Sequence, residues 1–158
     1  MAEASKGIDP RGPRFGAVIT GVLLLITVGL WLDGLIIAAF AVLVYITLVF
    51  GWGAFAGVQR HPYGLFFKRV IRPRLKPPAE LEDPTPPTFA QGIGLVISLA
   101  GLAISLVPGL GLALPIAAAL AFVAAFLNSV FGYCVGCQIY LLLVRVGVFG
   151  RHRAGLEA

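Results

Sequence analysis

The sequence predicts an all-α integral membrane protein, a four-helix bundle made of two hairpins with a short interfacial helix in the central cytoplasmic loop. Three observations predict it. Of 158 residues, 59% are hydrophobic and 12% charged, against roughly 45–50% apolar and about 25% charged in soluble domains. A soluble chain this small would leave about 40% of its unfolded surface in water and could not hide so much apolar area. The apolar residues gather into blocks long enough to cross a hydrocarbon core of about 30 Å. Four crossings place all twelve Lys and Arg on one side. An ordinary cytosolic enzyme, a disordered segment and a secreted disulfide scaffold are excluded.

The chain reads as one membrane domain over 1–158, opening with a polar Gly- and Pro-rich arm at 1–14. The first span runs over about 15–32, where Thr20 and Thr27 are the only polar side chains, and Asp33-Gly34 supplies a turn. A second span, about 35–58, crosses back. Residues 59–88 form the polar loop. In its first half, Tyr63 to Arg72 mixes apolar and basic residues and reads as the interfacial helix. Its second half is Pro-rich, acidic at Glu80, Glu82 and Asp83, and reads as an extended connector. The third span, about 89–107, ends at the Pro108-Gly109 reversal. The fourth covers about 112–133, with a helical extension to about 148. As one helix this block would be about 55 Å long, so it either projects from the membrane or breaks near Gly132 or Gly136.

The two reversals carry no Lys or Arg, so the basic side is expected in the cytoplasm together with both termini. This makes it a multi-pass membrane protein with its basic side inside the cell. A cleavable signal peptide is not expected, because the start is polar and the following apolar run is too long for an h-region. The net charge of +5 reports orientation and contact with the lipid bilayer rather than nucleic acid, for which no fold signature is present. The hairpins open on Pro13-Arg14-Phe15-Gly16-Ala17 and Pro87-Thr88-Phe89-Ala90-Gln91, compatible with a parallel duplication or simply with two similar hairpins.

The sharpest chemical feature is Cys134-Val135-Gly136-Cys137 in the last apolar block. Thiols three positions apart share a helix face and come within disulfide range after modest adjustment. They can also share a metal or pass a sulfur atom. The alternative is a pair of small buried apolar residues. About 20 residues from Leu112 bring the chain to the inner surface near Gly132, so the pair is expected at the cytoplasmic interface. That side argues against the disulfide-generating quinone oxidoreductases, whose pairs serve the opposite face. An unbroken helix would put the thiols near its C-terminus, where the macrodipole disfavours thiolate; a new helix starting near Cys134 would favour it.

Supporting roles are expected for Asn128, Gly132, Tyr133, Gly136 and Tyr140. Asn128 needs partners inside a span, as a structural hydrogen bond or a contact to substrate. Tyr133 and Tyr140 can donate hydrogen bonds near the thiols or serve as membrane anchors. Gly53 and Gly57 form G-x-x-x-G, as do Gly132 and Gly136, so spans two and four are predicted to touch there. Lys68, Arg69, Arg72 and Arg74 are expected to contact lipid or a soluble partner. Two Cys and two His suffice in number for zinc, but His61 and His152 lack ligand spacing, so no metal or other cofactor is predicted.

Several stretches carry a resemblance: Asp9-Pro10-Arg11-Gly12-Pro13-Arg14-Phe15, Pro62-Tyr63-Gly64, Arg72-Pro73-Arg74-Leu75, Glu82-Asp83-Pro84 with Pro87-Thr88-Phe89-Ala90-Gln91, and Asn128 through Tyr140. Together they resemble the bacterial multi-pass membrane family known as domain of unknown function 4395. The family commonly has a basic residue where Thr88 stands. The resemblance implies a four-helix inner-membrane protein whose gene often lies near those of thioredoxin-like proteins and rhodanese-type sulfurtransferases. It implies no established activity.

The leading expectation is therefore a thiol protein whose Cys134 and Cys137 exchange electrons or sulfur with a soluble thioredoxin-like or rhodanese-like protein. A small transporter for a sulfur-containing solute, and a non-catalytic membrane anchor or assembly subunit, are the alternatives. Self-association is compatible with each.

Overall fold

Among the described residues six helices follow from where the apolar blocks start and stop, and Pro and Gly set most of the boundaries. The structure, a computed structural model, describes residues 7–148. Helix α1 spans Arg11–Leu32 and α2 spans Ile36–Ala56, joined by a reversal at Asp33-Gly34. A short α3, Pro62–Phe66, continues through a π turn at Phe67–Ile71 and a 3-10 turn at Arg72–Arg74. Pro62 stands in its first turn, where a missing N–H costs nothing. Helix α4 spans Thr85–Ser105, α5 Ala113–Phe131 and α6 Val135–Arg145.

α1, α2, α4 and α5 are each long and apolar enough to cross a membrane. Their outward faces are strongly apolar, with Ile37 88% and Phe55 87% exposed. Such side chains are explained by lipid rather than water. This is a membrane protein with a helical bundle. α1 begins at Arg11 and α4 at Thr85, each about one turn before the expected span, because polar residues and Pro extend a first turn beyond the apolar block.

Around the bundle the helices follow the order α1, α2, α4, α5, so α1 packs on α5 and α2 on α4, with α2 and α5 diagonal. This is the pseudo-twofold pattern that maps one hairpin onto the other, as a parallel repeat requires. The core lies toward the reversals, where Leu24, Leu43, Ile46 and Leu114 are fully buried. Thr27, Thr47 and Ser98 are buried among the spans, and each hydroxyl donates to the carbonyl four residues back at 2.7–2.9 Å, so none is left unpaired in a medium without water.

The opposite end is polar. Ile8 and Glu82 pair through backbone hydrogen bonds of 2.8 and 2.9 Å, tying the N-terminal arm to the central loop. Asp9 is buried there; it accepts from Arg11 Nε and Nη2 at 2.9 and 2.7 Å, and Arg72 Nε lies 3.9 Å away. Arg11 Nη2 also donates to the Lys76 carbonyl at 3.0 Å. The interfacial helix rests on α1, with Phe66 and Phe67 stacked or tilted on Phe15. The segment after Arg74 has no helix until Thr85, as the connector composition predicts.

Candidate functional site

The last apolar block breaks at Gly132. This residue has φ +66°, the left-handed conformation that glycine adopts without a Cβ penalty, and it ends α5. The amides of Gly132 and Tyr133 donate back to the carbonyls of Asn128 and Leu127 at 3.1 Å each. The expected extension to about 148 is thereby corrected: α6 is a separate helix that ends at Arg145 and packs against α4. A Cβ on Gly136 would lie 2.5 Å from the Ala90 Cβ, and the Tyr140 ring sits 5.5 Å from that of Phe89. The turn at Gly132 is what lets the chain leave the α5 axis and reach that surface.

Cys134 is the N-cap residue of α6. Its backbone is extended (φ −84°, ψ 100°), and its Sγ accepts a hydrogen bond from the Cys137 amide at 3.3 Å. The two cysteines are joined by a disulfide, with 5.2 Å between their Cα atoms. Of the two arrangements the sequence leaves open, this is the one in which the N-terminal dipole of a helix favours a thiolate once the pair is reduced. The Arg14 guanidinium adds a cation next to the break, since a Cβ on Gly132 would lie 2.6 Å from its Nη2.

Cys134 also lines a cavity of about 490 Å³ in the half of the bundle nearer the loop. Its walls within the spans are mostly apolar, with Ala17, Ile97, Ala121 and Ala124 among them. Thr20, Gln91 and Asn128 supply polar groups within the spans, and Asp9, His61, Lys68 and Arg72 lie where the wall is made by the arm and loop. Gln91 Oε1 is fully buried and has no hydrogen-bond partner among the described residues. His61 is only 6% exposed and packs edge-on to Tyr63 at 5.1 Å. Burial pushes its pKa below the ordinary histidine value, because the charged form loses its hydration.

The expected site residues therefore divide. Cys134, Gly136, Asn128, Lys68 and Arg72 share the cavity wall. Cys137 is joined to it through the disulfide. Tyr133 is half exposed at the break, Tyr140 packs on α4, and Arg69 and Arg74 are exposed on the loop. The predicted touch between the two G-x-x-x-G pairs is corrected. Gly53 faces Gln91 of α4, where its Cβ would lie 2.8 Å from Cγ, and Gly136 faces Ala90 of the same helix. Gly57 meets nothing within 4 Å and ends α2 with φ +83°. The physical reason is the ring order, in which α4 stands between the two glycine pairs. Among the described residues no three of His, Cys, Asp and Glu gather as metal ligands; His152 lies outside the described residues.

Sequence reasoning missed Asp9, Arg14 and Gln91 as site residues. Gln91 carries the one usable signal, an amide one turn inside an apolar span. No curated protein and no solved structure matches the chain. The family model described as Domain of unknown function (DUF4395) matches residues 8–145, and the chain belongs to that family.

Proposed function

We propose that this chain is an inner-membrane thiol protein whose Cys134–Cys137 pair faces the cytoplasm and exchanges electrons or sulfur with a soluble thioredoxin-like or rhodanese-like protein. One observation carries the reading: Cys134 caps α6 and its sulfur already accepts the Cys137 amide. A sulfur in that position is stabilised as the anion by the helix dipole and by a directed N–H. The Arg14 cation beside Gly132 acts in the same sense. The cytoplasmic side is supported by charge. Arg11, Arg14, Arg60, Lys68, Arg69, Arg72, Arg74 and Lys76 belong to the loop end, while the reversals contain no Lys or Arg.

In the electron-transfer form, the Cys134 thiolate attacks one sulfur of a partner disulfide, and the partner's other sulfur leaves as thiolate. The Cys137 thiolate then attacks Cys134, closing the internal disulfide and releasing the partner as a dithiol. Run in reverse, a reduced partner returns Cys134 and Cys137 to thiols. In the sulfur-transfer form, Cys134 takes the outer sulfur of a partner persulfide and the partner leaves as thiolate. Transport is the weaker reading, because Leu24, Leu43, Ile46 and Leu114 fill the bundle between the cavity and the reversals.

The test is replacement of both cysteines by Ser in a deletion strain. The double variant is expected to reach the membrane at normal levels and to fail complementation. Full complementation would remove the thiol reading and leave the anchor.

A further inference from the structure

Cys134 touches two environments, the polar loop end and the cavity inside the bundle, and a pair that trades electrons with a soluble partner needs a second electron partner to turn over. The cavity has the character of a site for an apolar ring with polar substituents. Its volume of about 490 Å³ falls within the roughly 300–1,000 Å³ usual for small-molecule sites. Ala17, Ile97 and Ala124 make its wall within the spans mostly apolar, and that wall lies in the spanning helices α1, α4 and α5. Gln91 lines the cavity, while its buried Oε1 is turned onto α2, where a Cβ on Gly53 would lie 2.9 Å away. Its side-chain amide N–H is the group left to meet a ligand acceptor. His61 and Asn128 add donors and acceptors to the same wall.

We propose that this cavity binds the ring of a lipid-soluble quinone, the membrane-side electron partner of Cys134 and Cys137. The proposal rests on the thiol reading above and adds the second carrier. The balance is closed: two thiols become one disulfide, their two electrons and two protons pass to the quinone, and a quinol leaves. The Gln91 amide N–H donates to a carbonyl of the quinone. An acyl chain would fill the apolar wall but offer that amide no acceptor. A small anion would be held by Lys68 and Arg72, which belong to the loop and not to the spans. The expected cytoplasmic side of the pair separates this chemistry from the oxidoreductases that make disulfides on the opposite face.

The test uses the full chain in lipid nanodiscs, reduced, freed of reductant and mixed anaerobically with decylubiquinone, whose fully substituted ring thiols do not arylate. We expect one quinone reduced for each Cys134–Cys137 disulfide formed, and rates about tenfold lower in Gln91→Leu and in Ala124→Leu, equivalent to about 1.4 kcal/mol. A parallel sample measures reduction of the disulfide by a soluble thioredoxin. If thioredoxin reduces the pair but quinone reduction is absent, or is unchanged in Gln91→Leu, the quinone site is overturned and the thiol reading stands. If quinone is reduced and thioredoxin does not react, the quinone site stands and the soluble partner is wrong. If neither reacts, both fall. Should Ala124→Leu fail to accumulate, Gln91→Leu decides alone.

Discussion

The sulfur of Cys134 and the backbone amide of Cys137 are hydrogen-bonded at 3.3 Å across the first turn of α6. That contact exists because Gly132 turns the chain before Cys134 and lets a new helix begin there. It makes the two thiols unequal, although the sequence treats them alike.

The inequality is measurable as reactivity. In Cys137→Ser, the remaining Cys134 keeps the N-cap position; in Cys134→Ser, the remaining Cys137 lies within the first turn and has no such cap. Alkylation by iodoacetamide at neutral pH is expected to be about tenfold faster at Cys134, because a sulfur at a helix N-cap is favoured as the thiolate. Cys137→Ser should also be the variant that traps a mixed disulfide with a thioredoxin-like protein.

Gly132→Ala should destabilise the protein by about 1–2 kcal/mol, because φ +66° is costly for a residue with a Cβ. The added methyl also displaces the Arg14 guanidinium, so Cys134 alkylation should slow. Gly57→Ala shares the positive φ but meets open space. Its φ +83° and ψ 154° lie in a region essentially restricted to glycine, so it is expected to cost more in thermal unfolding and to leave Cys134 reactivity unchanged.

Gly53 and Gln91 should be energetically coupled. A Cβ at Gly53 would lie 2.8 Å from Gln91 Cγ and 2.9 Å from its Oε1. Gly53→Ala in the native background is expected to cost about 1–3 kcal/mol by overpacking. In a Gln91→Ala background the clash is gone, and the double-mutant cycle should return a coupling of about 1 kcal/mol or more.

Two groups at the loop end give opposite tests of pH. The Arg11 hydrogen bonds hold the Asp9 carboxyl below its ordinary value of 3.8. Its stabilisation is therefore complete well above that value and is lost as pH falls through the native pKa. Asp9→Asn should cost about 1–2 kcal/mol at pH 7, below the usual range for hydrogen bonds to charge because Arg11 is a third exposed, and the difference should vanish in acid. His61 is held below 6.5 by burial. The unfolded chain then binds the extra proton first, so stability declines as pH falls below 6.5 and levels off beneath the native value. His61→Gln should remove that decline, read as the melting temperature across the range.

Much of this was legible in the residues, and what was not has physical causes. The blocks of apolar residues and the Asp33-Gly34 and Pro108-Gly109 reversals gave the four spans, the structure shifting their ends by at most four residues. The excess length after Leu112 left open a projecting helix or a break near Gly132 or Gly136, and the choice depends on the α4 surface that receives Gly136 at Ala90. The helix contacts of Gly53 were misassigned because small-residue spacing marks a close approach without naming the neighbour. The cavity left no periodic trace. Its wall includes many Gly and Ala residues, which elsewhere signal tight packing, and here the missing bulk is left as open volume.

The most direct measurement of the central claim is side-specific labelling of the reduced pair with a membrane-impermeant maleimide. Cys134 should be modified in inside-out vesicles and spared in intact spheroplasts, with Cys137→Ser retaining the label and Cys134→Ser losing most of it. Labelling from the outside of spheroplasts, or none from either side until detergent is added, would contradict a cytoplasm-facing nucleophile at the start of α6.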